Sequence, residues 1–311
     1  MKNSNESSAS RPTAFRTRIV NLYGQEGYLW LENFPGLRQS LRERWNLQDP
    51  QPCTQLSYNY LEFARSPEFG PVVLKIGFPN PELDTEIQVL TLYKGLEAGV
   101  QLLDHNPDQG AMLLERIIPG QNLTSIPDDE EATRIAAKSM LKLRQPAPQS
   151  GTFPSMGDWC QGFSRYQSTF QKGSGPIPAH LINRTSRLAE ELVGETLQPE
   201  LLHGDLHHGN LLSREDGSWS VIDPKGVTGG FAAEVGPYLF NPIPDLIQRP
   251  DLENLLDRRL RIFEEMIGLD RHDLIAWSLV RIMLAAIWTV EENTEEPDYF
   301  VKIAEILGRL K

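Results

Sequence analysis

Three residues within 201–226, LLHGDLHHGNLLSREDGSWSVIDPKG, carry side chains suited to phosphoryl chemistry: Asp205, Asn210 and Asp223. Two oxygen ligands and a nearby carboxylate are what Mg²⁺ and a reacting hydroxyl need, because Mg²⁺ takes few protein oxygens and completes its shell with phosphate and water. Asn210 opens the apolar segment NLLS and Asp223 closes a second one, WSVID. Between them REDGS contains Asp-Gly, a hairpin signal in which glycine accepts the positive φ of the turn. Folding at the midpoint, between Asp216 and Gly217, sets Asn210 beside Asp223 at the open end, with Asp205 on the loop just before. The Asp205-x₄-Asn210 spacing fits phosphoryl transfer, with the aspartate accepting the hydroxyl proton and the asparagine on the metal. Three histidines, His203, His207 and His208, invite a zinc reading. Adjacent His207 and His208 do not easily face one ion and no cysteine joins them, so zinc is set aside. His203 is expected to pack in the core and hold the loop by hydrogen bonds.

These residues need a scaffold that also grips a nucleotide, and the earlier part of the chain reads as one. Residues 54–64 and 71–78 are strands around a turn-rich loop, and 72–76 places Lys75 among β-branched and apolar neighbours. Asn80-Pro81 starts a helix, Asn as cap and Pro at its first position. Leu83, Ile87 and Leu90 make its buried stripe, and Glu86 lies next to that stripe, placed to pair with Lys75. The lysine can then hold phosphate oxygens. Glu82 and Asp84 are rival partners but suit the positive end of the helix better. Residues 100–105 and 111–117 form a further hairpin, leaving through Pro119-Gly120 at a lobe boundary. Before this sheet, 13–47 reads as helix with a break at Pro35-Gly36, and 49–52 reads as a linker. After it, apart from the 210–223 hairpin, the pattern is helical: 127–143, 181–197, 252–267, 273–290 and 299–310. The fold class is therefore α+β, a small antiparallel-sheet first lobe and a mainly helical second lobe, with the ligand expected in the cleft between them. The domains are a disordered tail at 1–12, a nucleotide-binding lobe with its helical extension at 13–118, and a lobe with catalytic loop, metal site and acceptor pocket at 119–311.

The chain has 311 residues, is 40% hydrophobic and 23% charged, and carries a net charge of −12. That composition is ordinary for a soluble globular protein. The acidity argues against nucleic acid as a partner and suits a cationic small molecule. The two cysteines, Cys53 and Cys160, stand far apart in no metal-ligand spacing, as expected of a cytoplasmic, disulfide-free protein. The apolar run 274–290 carries Arg281 at its centre, which favours a buried core helix over a membrane span. Glu234, Asp245, Glu291, Glu292, Glu295, Glu296 and Asp298 form an acidic population after the hairpin, and Glu234 and Asp245 are the candidates for the acceptor pocket.

HGDLHHGN followed by IDPKG strongly resembles the aminoglycoside phosphotransferase superfamily, which has a protein-kinase-like fold. LKIGFP with Glu86, LLERIIPG, IDPKG in place of the protein-kinase DFG, and GPYLFNP resemble one branch of it, the aminoglycoside/hydroxyurea resistance kinases (the streptomycin 6-kinase-like branch). WLENFP and ERWNL are similar to that branch's lead-in, so the likeness covers roughly residues 28–290. The resemblance implies an ATP-dependent (or other NTP-dependent), Mg²⁺-requiring transferase acting on a hydroxyl, with antibiotic resistance as its role. It implies Asp205 as catalytic base or hydroxyl orienter, Asn210 and Asp223 as Mg²⁺ ligands, Lys75 on the α/β-phosphates and Glu86 fixing it. It further implies Leu114, Glu115 and Ile117 in the adenine hinge, and Ser57-Tyr58-Asn59-Tyr60 in the turn over the phosphates. That turn departs from protein kinases in having no glycine-rich loop. Lys225 belongs to the branch motif without an assigned role.

Two other readings share these motifs. A metabolic kinase for a sugar or amino alcohol would carry every one of them. A non-catalytic nucleotide-binding regulatory module would need fewer, and all the residues needed for chemistry are present.

Overall fold

The computed structural model describes residues 11–53, 58–149, 151, 153–292 and 297–310. The tail at 1–10, Ser57, and Glu295 and Glu296 lie outside the described residues. The chain divides into two compact units, Met1–Gly95 with Val100–Ile117, and Leu96–Gly99 with Ile118–Lys311.

The first unit starts with α1 (Arg11–Arg44), followed by β1 (Gln48–Pro52), β2 (Tyr60–Ser66), β3 (Gly70–Ile76), α2 (Pro81–Leu92), β4 (Leu102–Asn106) and β5 (Ala111–Glu115). The strands make one antiparallel sheet in the order β1-β2-β3-β5-β4. Its core gathers Val72, Leu74, Ile76, Ala111 and Leu113 from the sheet against Phe15, Ile19, Leu31, Leu41 and Trp45 from the N-terminal segment. Two expectations fail here. The break in α1 falls at Gly24 (φ 56, ψ −129), a conformation open to glycine alone, whereas Pro35 stays inside the helix. Leu31 and Leu41, fully buried on either side, hold that helix to the sheet despite the hydrogen bond Pro35 cannot make. The 49–52 linker is the strand β1, an edge strand with every residue exposed, where prolines are tolerated because one side of the ladder is unpaired. Arg42 reaches from α1 to Glu62 on β2, a fully buried carboxylate that also accepts from Tyr60.

The second unit holds β6 (Pro119–Asn122), α3 (Asp129–Leu143), β7 (Gln145–Pro146), α4 (Met156–Thr169), α5 (Ala179–Glu195), β8 (Glu200–Leu202), β9 (Leu211–Arg214), β10 (Trp219–Val221), β11 (Val227–Gly229), α6 (Gly236–Leu239), α7 (Leu252–Ile267), α8 (Arg271–Glu292) and α9 (Asp298–Leu307). The expectation of an otherwise helical lobe is corrected by two three-stranded sheets, β10-β9-β6 and β11-β8-β7. Strands of two to four residues are too short to show an alternating pattern. The α8 helix is long and apolar enough to cross a membrane by length and composition, yet 274–284 is buried throughout. It packs on α4, α5, α6, α7 and α9 and forms the axis of this unit.

Candidate active site

In the first unit, β3 places Lys75 opposite Leu61 on β2 and Met112 on β5. The side chain points away from water, at 3% exposure, and its Nζ donates to Glu86 Oε1 at 2.6 Å. Glu86 is buried as well. The pairing expected from sequence is present, and its rivals Glu82 and Asp84 sit in the first turn of α2. Asn80 caps that helix: its Oδ1 accepts from Leu83 N–H, and its Nδ2 donates to Tyr23 Oη and Phe78 O. At the end of β5, Leu114 and Ile117 are buried. Glu115 N–H donates to Gln101 O and Arg116 N–H to Pro71 O, so the sheet already engages these two donors. Tyr60 does not sit in a turn; it opens β2 with its ring buried and its hydroxyl bonded to Glu62.

In the second unit, β9 and β10 form the hairpin read from sequence. Gly217 takes φ 80 in its turn, and Asp216 Oδ1 accepts from Ser218 N–H. The register pairs Leu211 with Val221, and Ile222 N–H donates to Asn210 O. Asn210 therefore faces Ile222, with Asp223 one residue beyond the position the midpoint gave. Asp223 has φ 58, so the chain bends at this residue instead of continuing the strand.

A ring of hydrogen bonds ties the loop before β9 to the strand end after β10. Asn210 Nδ2 donates to Asp205 O at 2.9 Å. His203, 2% exposed, accepts from Asp205 N–H at Nδ1 (3.2 Å), which assigns the proton to Nε2 and makes it the donor to Ile222 O (2.8 Å). Burial pushes the His203 imidazole down to about 4, so it is neutral. This is the core role expected of it. His207 Nδ1 accepts from Gly209 N–H, and its Nε2 lies 3.8 Å from Asp205 Oδ2. His208 turns the other way: its ring stacks on Tyr238 at 4.1 Å and its Nε2 meets Arg259 Nη2 at 3.3 Å. Burial and the Arg259 charge hold it well below the usual histidine range. Arg259 is itself buried and bound to Asp129. His203 and His207 thus both touch Asp205, through its N–H and its carboxylate, while His208 turns to Tyr238 and Arg259. No group of three or more His, Cys, Asp or Glu among the described residues is arranged to hold a metal.

Gly204 takes φ 82, and a Cβ there would lie 3.0 Å from both Trp159 and Val227. Its N–H donates to Glu234 Oε2 at 3.2 Å, and its carbonyl accepts from Arg281 Nη2. Glu234 is 3% exposed and pushed up to about 7 by burial. It is not part of an open acidic acceptor surface, which corrects the sequence expectation: its carboxylate supports the loop from beneath. The signal for Arg281 was the lone cation in the apolar run of α8, read only as evidence against a membrane span. Asp245 is exposed and lines a cavity of about 230 Å³ with Asp129, His208, Arg249 and Arg259. Glu291 is engaged by Arg165. Lys225 donates its N–H to His203 O, locking the segment after Asp223 to the same loop.

The family model for aminoglycoside/hydroxyurea antibiotic resistance kinases matches residues 44–293. The chain belongs to this family. It is 29% identical over 291 residues to a streptomycin 6-kinase of Streptomyces glaucescens, covering 92% of this chain and 93% of that protein. It is 27% identical to a hydroxyurea phosphotransferase of Kitasatospora aureofaciens, covering 91% of this chain and 82% of that protein. Among solved structures it is similar to a thermostable mutant of the aminoglycoside phosphotransferase APH(4)-Ia in a ternary complex with ADP and hygromycin B. The TM-score is 0.61 and the identity 13%, with 87% of this chain and 97% of that one covered. The family member described here thus has the kinase-like α+β fold expected from its motifs, and it is a phosphotransferase acting on a small-molecule hydroxyl.

Proposed function

We propose that this chain transfers the γ-phosphoryl group of ATP, or another nucleoside triphosphate, to a hydroxyl of an aminoglycoside-like acceptor. The nucleotide-holding part is 13–118, with Lys75 on the phosphates, Glu86 fixing the lysine, and Leu114, Glu115 and Ile117 at the base. The part at 119–311 supplies Asp205, Asn210 and Asp223 and the acceptor site. The observation that carries this reading is the hydrogen-bond ring of His203, Asp205, Asn210 and Ile222, which ties the loop bearing Asp205 and Asn210 to the strand end that precedes Asp223.

The donor set suits Mg²⁺, being one carboxylate and one amide oxygen with no soft ligand. Asn210 commits its Nδ2 to Asp205 O, which makes Oδ1 the ligating end of that amide. A bound Mg²⁺ would screen the phosphate charge. Asp205 is fixed through its own N–H and carbonyl, so its carboxylate orients the acceptor hydroxyl and takes its proton as the phosphoryl group leaves. Lys75 neutralises phosphate charge, and its buried partner keeps it from swinging away.

A second reading, a kinase for a smaller sugar or amino alcohol, is favoured by the cavity at Asp245. Its volume of about 230 Å³ lies below the usual range for drug-sized ligands, roughly 300–1,000 Å³. A coupled ADP-release assay over aminoglycosides, hydroxyurea, sugars and amino alcohols separates the two. Phosphorylation of an aminoglycoside that is lost in Asp205→Asn and Asp223→Ala, both still folded by circular dichroism, supports the first. Turnover of amino alcohols or sugars alone supports the second, and near-parental turnover in Asp223→Ala would sink the metal assignment.

A further inference from the structure

Gly204 precedes Asp205, and its peptide groups are gripped from both sides. On the N–H side Glu234 accepts at 3.2 Å; on the carbonyl side Arg281 donates through Nη2. Both side chains are buried, at 3% and 4% exposure, and neither is needed to close the hydrogen-bond ring above. Burying an arginine and a glutamate this way is costly, and a pair of apolar residues of like volume is often the more stable occupant of such positions. The surroundings are shaped around the arginine nonetheless. Trp159 and Trp288 lie 4.7 and 5.9 Å from its guanidinium carbon. A Cβ at Gly236 would stand 2.5 Å from the Arg281 Cβ, so this glycine makes the room for it. Gly204 is itself enclosed by Trp159 and Val227, so the peptide has little freedom once held.

We propose that Glu234 and Arg281 are positioning residues that clamp the Gly204 peptide and thereby set where the Asp205 carboxylate stands. The clamp rests on the reading of Asp205 as the group that orients the acceptor hydroxyl. It acts on turnover, because a displaced Asp205 still leaves nucleotide and acceptor contacts in place. The charges that face Glu234 are Arg281 from α8 and Asp205 from the loop, with the N–H groups of Gly204 and His203 also directed at it. Cys160 on α4 faces Arg281, but burial pushes its thiol up to about 11, so it is uncharged. Glu234, pushed up to about 7, therefore loses its charge as the pH falls through neutrality, and with it the attraction that opposes Arg281 across the peptide.

The experiment is steady-state kinetics from pH 5.5 to 8.5, with thermal unfolding, on the parent, Arg281→Met, Glu234→Gln and Asp205→Asn. Arg281→Met leaves buried Glu234 without its counter-charge and the Gly204 carbonyl without its donor, so it is expected to unfold at a lower temperature than the parent. Its kcat should drop by about 100-fold, the scale of an ångström-sized misplacement, with both KM values within about threefold. Glu234→Gln keeps an oxygen for the Gly204 N–H but loses the charge. The limb of kcat that rises with pH near 7 in the parent should vanish in it. If Arg281→Met does not fold, the Glu234→Gln profile decides: superposition on the parent overturns the proposal. A folded Arg281→Met with parental kcat also overturns it, provided Asp205→Asn is inactive. Parental turnover in Asp205→Asn would instead overturn the reading of Asp205, and the clamp with it.

Discussion

His203 donates to Ile222 O and accepts from Asp205 N–H, two bonds that only the neutral ring in one tautomer makes together. Protonating Nδ1 would set a donor against a donor. The folded imidazole is held down at about 4, against an ordinary value of 6.5, so between these pH values the unfolded chain binds the extra proton. The stability from neutral His203 is fully present above about 6.5 and is lost as the pH falls toward 4, amounting to about 3 kcal/mol. His208 shifts in the same direction. Glu234 works the other way: its folded value of about 7 lies above its ordinary 4.5, so its contribution is present below 4.5 and lost as the pH rises through 7. Urea unfolding of His203→Gln at pH 7.5, 6, 5 and 4 should show a flatter fall of stability toward acid than the parent. An equally steep acid limb in the variant would show that other groups carry it.

The α2 helix has one task in the site, carrying Glu86 to Lys75, and its first turn is pinned by Asn80 through three hydrogen bonds. Asn80→Ala removes the cap and the tether to Tyr23 and is expected to destabilise the protein by about 1–2 kcal/mol. With its start frayed, α2 should hold Glu86 less firmly, so KM for ATP should rise while KM for the acceptor stays put. A rise confined to the acceptor would count against this arrangement. Helix and hairpin were legible because each announces itself locally: Asn80-Pro81 is a cap signal, and Asp216-Gly217 a turn signal. The elements that escaped depend on partners distant in sequence. The strand β8 exists because β7 and β11 flank it, and β1 because β2 offers a free edge. The kink at Gly24 could not be separated from Pro35-Gly36 by composition, since both are breakers and packing decided between them. Glu234 was legible as an acid and misread in position, because nothing in its neighbourhood GGFAAEVG says that its carboxylate turns inward onto Gly204.

The net charge of −12 acts on any cationic acceptor as a whole-molecule field, apart from any single carboxylate that touches it. Asp129 is neutralised by Arg259, Glu291 by Arg165, and Glu234 is buried under the loop. Among the described residues of that acidic population, Asp245 is the acid that lines a cavity together with a residue of the 201–226 segment, His208. Long-range attraction and local contact should therefore separate experimentally. Raising ionic strength from 0.02 to 0.5 M, roughly a fivefold shortening of the screening length, should raise KM for an aminoglycoside and leave kcat unchanged. A neutral acceptor such as hydroxyurea should show no such trend. Asp245→Asn should raise KM for the aminoglycoside by about two- to fivefold, the scale of an exposed charge pair. It should leave most of the salt dependence intact, because the remaining acids still supply the field. Loss of the whole salt dependence in Asp245→Asn would show that one carboxylate, and not the molecule's overall charge, draws the acceptor in. An unchanged KM would remove Asp245, and the cavity it lines, from the acceptor site.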